Sequence, residues 1–348
     1  MAAMNIRTPL QLFDANGALL DGVYRHGIAL PQLPASAWRL KEWHYLSVAT
    51  PKHFLALAVV QVGYVANLFA YVVDRADPSR PWQCEHLSPL GRALKFGPSS
   101  LAGETRWQSD GAQVRIQSSN SPDAHAQDGG AFGHWAVEID VLVKRGSDRA
   151  ERLQASLQMQ GAEALALVHR LPSGGVAYTH KECGQPCTGT MQLSGLTHQI
   201  TGLASLDWTR SQAERITRWK WASTALQLPD GRQLGLNLSA EVYDDAAGNS
   251  RENALWLQGR RLDLSGVRFE LPAQPDREPW RIQSLSGDEV DLTFRPLGAR
   301  RQNLRAGLVV SRFIQPYGLF SGHLQPQGHS AIRFSDAFGV VEDHYAKW

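Results

Sequence analysis

Apolar and polar residues alternate along most of this chain. In WAVEIDVLV (135–143), Trp135, Val137, Ile139, Val141 and Val143 share one face, and Glu138 and Asp140 take the other. RLQASLQMQ (152–160) repeats the pattern with Leu153, Ala155, Leu157 and Met159. QVRIQ (113–117), GTMQLSG (189–195), RQLGLNLSAEV (232–242), NALWLQG (253–259) and VDLTFRP (290–296) follow it. Period two at short intervals predicts antiparallel strands with one wet face. Turn signals stand between strands at 229–231 (PDG), 246–249 (AAGN), 286–288 (SGD) and 326–328 (PQG). No stretch sustains a capped helical period. The expectation is an all-β protein, built as barrels or one large curved sheet system.

Two features organise the chain. Residues 54–73, FLALAVVQVGYVANLFAYVV, carry no charge and have the length of a membrane span. The other reading is two buried strands broken near Gly63–Tyr64, and the Val, Phe and Tyr content with Gln61 and Asn67 favours it. There is also an internal echo. KEWHYLS, LALAVV and LFAYVVD in the first half are matched in order by RWKWAS, LGLNLS and ALWLQG in the second. Two related barrels packed together would produce it, taken as 36–200 and 201–348 behind a lead-in of 1–35. The stretches 76–104 and 118–131 read as linker and solvated loop.

Composition narrows the partners. Of 348 residues, 43% are hydrophobic and 20% charged, which gives a globular chain with a core. A net charge of +2 offers no field for nucleic acid or an anionic membrane. No apolar leader stands at the N-terminus, and Cys84, Cys183 and Cys187 do not form a disulfide framework, so a cytoplasmic location is expected. Eleven tryptophans suggest a wide, partly polar interior or a binding surface.

The run DWTRSQAERITRWKWAS (207–223) concentrates the candidate chemistry. On a strand, Trp219, Trp221 and Ser223 share one face, and Arg218, Lys220 and Ala222 the other. A nucleic-acid reader would set its cations beside its aromatics, so this run predicts none. Asp207 and Arg210 beside Trp208 are expected either as an ion pair at a pocket rim or as part of a turn. Glu252 and Trp256 would share a face, with Asn253 opposite, and Glu42 beside Trp43 matches Glu252 in the other half. A carboxyl on an inward face is desolvated and holds its proton, as a general acid must. His180, Cys183 and Cys187, with His198, are spaced too widely for a usual zinc site and read as a polar loop with free thiols. No nucleophile elbow, P-loop, dinucleotide fingerprint or zinc-protease motif is present.

The stretches LKEWHYLSV, QVGYVANLFAYVVD, YTHKECGQPCTG, DWTRSQAERITRWKWAS, GLNLS, ENALWLQG, SRFIQPYGLFSG and GVVEDHYAKW resemble, in that order, the bacterial family catalogued as domain of unknown function 2804. That family is similar, more distantly, to lipocalin-like two-barrel proteins that include carotenoid hydratases and tocopherol cyclases. The resemblance implies two lipocalin-like antiparallel β-barrels and a cavity for an apolar molecule, but it carries no reaction across. It adds Gln315 and Tyr317 as candidates, and Glu342–Asp343 as a pair closing the second barrel on a basic residue such as Arg218.

The expected activity is therefore binding of a lipid or isoprenoid-like molecule in a Trp-lined barrel cavity. Its alternative is a cofactor-independent, acid-catalysed hydratase or cyclase on such a substrate. Glu42, Asp207 and Glu252 are the candidate acids. Trp43, Trp208, Arg210, Trp219, Trp221, Asn237, Asn253, Trp256, Gln315 and Tyr317 are the candidate ligand contacts. No metal and no stable membrane insertion are expected. A solidly packed structural module is the third possibility, and the existence of a cavity separates it from the other two.

Overall fold

The computed structural model describes residues 8–33, 39–119, 133–306 and 309–348. All named elements are strands. The first thirteen are β1 (Gly22–Tyr24), β2 (Lys41–Ala49), β3 (His53–Gln61), β4 (Val65–Asp74), β5 (Asp77–Pro89), β6 (Leu94–Lys95), β7 (Ala102–Ser109), β8 (Ala112–Ser119), β9 (His134–Arg145), β10 (Glu151–Gln160), β11 (Leu165–Arg170), β12 (Val176–Leu193) and β13 (Leu196–Ser211). They form one sheet. Because β10 pairs with both β9 and β12, the sheet closes through β12-β13-β2-β3-β4-β5-β9-β10, with β11 and β8 extending from it.

The second sheet holds β14 (Ile216–Gln227), β15 (Gln233–Ala240), β16 (Ala254–Leu257), β17 (Arg260–Asp263), β18 (Val267–Glu270), β19 (Trp280–Ser284), β20 (Val290–Ala306), β21 (Val309–Leu324) and β22 (Ile332–Lys347). The fold is the expected all-β pair of antiparallel barrel sheets. The expected boundary at residue 200 falls within β13, and the sheets change between Ser211 and Ile216. Residues 76–104, expected as a linker, contribute β5, β6 and the start of β7. The expected loop at 118–131 lies outside the described residues except for Ser118 and Ser119, which end β8.

Each sheet wraps an apolar core. Leu46, Leu57, Val59, Leu68, Trp107, Trp135 and Ile139 belong to the first, and Leu236, Leu255, Trp280, Phe294 and Phe320 to the second. Strands with one wet face alternate cleanly: Ala112, Val114, Ile116 and Ser118 of β8 are buried and the residues between them exposed. β3 and β4 do not alternate, because both their faces are covered. Leu55, Leu57 and Val59 enter the first core, while Phe54, Ala56 and Ala58 pack against Trp221, Tyr317 and Phe338 of the second sheet. That double burial explains the uncharged run at 54–73, which is two strands broken at residues 62–64. Among the described residues no helix is long and apolar enough to cross a membrane.

The seam between the sheets is close. A Cβ on Gly235 of β15 would lie 2.2 Å from the Cys183 carbonyl carbon of β12, so only glycine fits there. The neighbouring Gly184 has φ +78°, at a register shift between Cys183 and Gln185. The echo in the sequence is a repeated meander, β2-β3-β4 and β14-β15-β16, and Trp43 of β2 stacks on Trp219 of β14 at 6.0 Å.

Candidate functional site

A cavity of about 160 Å³ lies in this seam. It was expected inside a barrel, but the barrel interiors are filled by the two apolar cores. Side chains directed outward from the first barrel and toward it from the second sheet line the space instead. Trp43, Tyr45, Phe69, Trp219, Trp221 and Phe313 give it aromatic walls. Half-buried Tyr64, Leu304 and Trp348, with exposed Leu87, mark its open end.

Register sets its polar floor. Lys181 of β12 pairs with Asp207 of β13, which pairs with Tyr45 of β2, so all three project from one face. Lys181 Nζ lies 2.9 Å from Asp207 Oδ2 and 3.4 Å from Glu252 Oε1, with all three side chains buried. Its charge also sits 5.9 Å from the Trp221 ring centre. Burial works against the Lys181 ammonium, but the two carboxylates outweigh it and hold the group charged above its ordinary range. Burial raises the Glu252 carboxyl in spite of Lys181.

A second polar group stands on the opposite wall. Glu342 of β22 accepts hydrogen bonds from Trp219 Nε1 at 2.5 Å and Gln315 Nε2 at 3.0 Å. Burial pushes its carboxyl up to about 7, against those two bonds. Gln315 Oε1 in turn accepts from Tyr71 Oη at 2.8 Å. His344 Nε2 lies 2.9 Å from Ser311 Oγ, and burial lowers the imidazole to about 3, so it stays neutral.

A family model described as domain of unknown function, DUF2804, matches residues 3–348. The chain belongs to that family. No curated protein matches it. Among solved structures it is similar to a protein described as an AttH from Nitrosomonas europaea, at 15% identity and a TM-score of 0.49, covering 90% of this chain and 96% of that one. It is similar to kievitone hydratase from Nectria haematococca, at 9% identity and a TM-score of 0.49, covering 92% and 94%. It is also similar to CghA with Sch210972, at 10% identity and a TM-score of 0.49, covering 88% of each.

Six of the residues singled out from sequence meet at the cavity: Trp43, Asp207, Trp219, Trp221, Glu252 and Gln315. Asn237 stands directly behind them, accepting from Trp221 Nε1 and donating to the Glu252 carbonyl, both at 2.7 Å. The others lie elsewhere. Glu42 and Arg210 occupy the opposite face of their strands, joined at 2.7 Å, and Arg210 also reaches the carbonyls of Pro31, Gly97 and Pro98. The expected Asp207–Arg210 pair does not form, because residues three apart on a strand point to opposite faces. Trp208 packs with Tyr178 and Phe96 beneath the N-terminal segment. Trp256 donates to the Glu163 carbonyl at 2.6 Å and does not line the cavity, though Tyr243 of the same cluster does. Asn253 fixes Ser239 N and Ser265 O, and Tyr317 donates to Pro78 O from within the seam packing.

Two further expectations are corrected. Of the Glu342–Asp343 pair, Asp343 does meet a basic residue of β14, Lys220 at 4.0 Å, but Glu342 faces the cavity, and Arg218 lies over the Tyr345 ring. His180, Cys183 and Cys187 lie on β12 with both cysteines buried, not in a polar loop, and His180 is bonded to Ser100 and Glu182. Lys181, Glu342, Arg300 and His344 were not anticipated at the site. Lys181 follows His180 and precedes Glu182, and three consecutive polar groups read as loop. For Glu342 the signal was present: a carboxylate within GVVEDHYAKW, on a strand with Val340 and Val341.

Proposed function

We propose that the seam cavity binds a small, largely apolar molecule, with Glu342 and Lys181 orienting its polar end. The observation that carries this reading is a partly open space with aromatic walls and a few converging polar groups, the usual composition of a ligand site. Its volume of about 160 Å³ is close to the roughly 150 Å³ of an apolar cavity known to hold benzene. A single ring or short branched chain fits. A longer lipid or isoprenoid would extend past Leu87 and Leu304. We place the protein in the cytoplasm, a compartment that suits three unpaired cysteines.

The test is direct. Purified protein is extracted with organic solvent and the extract examined by mass spectrometry, while toluene is titrated against tryptophan fluorescence. Wild type is expected to yield a bound compound or to respond saturably to toluene, and Val60→Trp, which fills the space from a wall position, is expected to do neither. A wild-type protein that carries nothing and does not respond to toluene would sink the reading.

The place of Glu342 favours a catalytic version. Its carboxyl lines the cavity beside the Trp219 indole, and burial raises it to about 7, which suits a general acid near neutral pH. In that version Glu342 protonates an apolar substrate without a cofactor, and the Trp219 and Trp221 faces stabilise the developing cation. Glu342→Gln would then retain the ligand and lose turnover; unchanged turnover of the extracted compound removes Glu342 from the role.

A further inference from the structure

We propose that the ligand of the seam cavity carries an oxyanion, a carboxylate on a small apolar body, and that Arg300 receives it. The inference rests on the reading of the seam as a ligand site and names the ligand's chemical class. Arg300 lies on β20 opposite Gln315 of β21, lines the cavity, and is only 6% exposed. Its guanidinium lies against two aromatic rings, with its centre 3.9 Å from the Phe69 ring centre and 5.2 Å from that of Phe313. A ring face attracts the cation but does not replace an acceptor for its N–H donors.

Among the described residues Nη2 of Arg300 has no hydrogen-bond acceptor. A guanidinium has five N–H donors. Among the described residues Arg300 has one ion pair, Nη2 to Glu85 Oε2 at 3.3 Å, and that contact does not satisfy Nη2 as a hydrogen bond. The Glu85 carboxylate is exposed and already accepts from Asn67 Nδ2 and Gln302 Nε2 through Oε1. Buried Arg210 shows the contrast, bonded to Glu42 and to three backbone carbonyls. Leaving a buried cation with its donors unused is costly, and an incoming carboxylate would satisfy two of them at once.

The neighbouring charges permit it. Asp207 and Glu252 are committed to Lys181. Glu342, His344, Tyr71 and Cys84 are the other titratable groups near Arg300. His344 stays neutral, and burial holds the Tyr71 and Cys84 protons on as well. Glu342 lines the same cavity, and burial raises its carboxyl, which lessens the negative charge facing an incoming oxyanion.

Benzoate and 3-phenylpropanoate, each against its primary amide, test the assignment by calorimetry on the full chain, with toluene as the neutral control. Wild type is expected to prefer each acid over its amide by about tenfold or more, the range of one charge-assisted pair. Arg300→Gln is expected to erase that preference while still binding the amides. If that variant does not fold, Glu85→Gln releases the guanidinium from its ion pair and is expected to tighten benzoate binding. Equal binding of acid and amide by wild type, a preference that survives Arg300→Gln, or weaker benzoate binding by Glu85→Gln overturns the assignment. Toluene binding without acid binding overturns the Arg300 assignment alone. Failure of all five probes overturns the site reading with it.

Discussion

Consecutive residues of β12 supply two buried polar clusters, one on each face of the strand. Lys181 points into the seam and meets Asp207 and Glu252 at the cavity floor. His180 and Glu182 point the other way, under the N-terminal segment. There Glu182 Oε1 lies 2.8 Å from His180 Nε2, His180 Nδ1 lies 2.7 Å from Ser100 Oγ, and Ser100 Oγ lies 3.3 Å from Tyr178 Oη. By residue type this second cluster is the more enzyme-like, a hydroxyl, an imidazole and a carboxylate in sequence. Yet it is sealed: Ser100 and His180 have no exposed surface, and a Cβ on Gly27 would lie 2.7 Å from His180 Nδ1. Its groups satisfy one another, with Tyr178 Oη also accepting from Ile28 N. The seam cluster borders empty space, and Arg300, which lines the same cavity, has an Nη2 with no hydrogen-bond acceptor among the described residues. Side chains sealed against one another fix structure, whereas a polar group that borders a cavity is open to a ligand.

The sealed cluster should therefore be the more sensitive to loss of a member. Glu182 accepts from Ala162 N at 2.8 Å and from Gln185 Nε2 through the oxygen that does not face His180. Glu182→Ala strands all three partners in the interior and is expected to lower stability by about 3 kcal/mol or more. Chemical denaturation measures it, and toluene binding by the folded protein should persist. A loss within about 0.5 kcal/mol, typical of surface changes, would mean that the cluster is not the rigid unit drawn here.

Glu342 gives the seam its own signature in pH. Its carboxyl, at about 7 in the folded chain against an ordinary 4.5, binds its proton more tightly folded than unfolded. Its stabilising contribution is complete below the unfolded value and fades as pH rises through the folded one. Linkage puts the change at about 3 kcal/mol between pH 4.5 and pH 8. Glu342→Gln stays neutral, so its stability relative to wild type should rise across that window. Glu252 is raised in both proteins and cancels in the difference. Thermal unfolding of the pair from pH 5 to pH 8 checks this, and a constant gap would remove Glu342 as the titrating group.

The sequence revealed strands wherever one face meets water, as in β8 and β10, and faces wherever aromatic residues alternate with basic ones, as in β14. Which face turned inward, and toward what, was not written there. Trp219 and Trp221 face the other barrel and not their own interior. β5 was misread because Pro78 and Pro81 looked like linker; they fall at the register shift between Val72 and Asp74 of β4, and β5 meets β9 only at Trp82 and Gln83. Charged residues on β12 looked solvated because their partners are distant in sequence: Asp207 and Glu252 for Lys181, Ser100 for His180. Local patterning carries the period of a strand, but not the identity of the surface that covers it.

The smallest expected effect tests that limit within one strand. Arg218 and Trp219 are neighbours on β14, one over the Tyr345 ring at the surface, the other bonded to Glu342 and stacked on Trp43. Arg218 shares Tyr345 with Arg312, whose guanidinium sits 5.4 Å from the same ring centre, so its removal leaves the ring covered. Exposed stacking of this kind contributes about 0.5–1 kcal/mol. Arg218→Ala is expected to cost no more than that in a denaturation curve and to leave toluene and benzoate binding unchanged. Trp219→Leu, one residue along, should weaken both, since it removes a wall of the cavity and the donor that holds Glu342. Equal effects of the two substitutions on binding would show that the faces of β14 are not divided between solvent and seam, and the proposed site depends on that division.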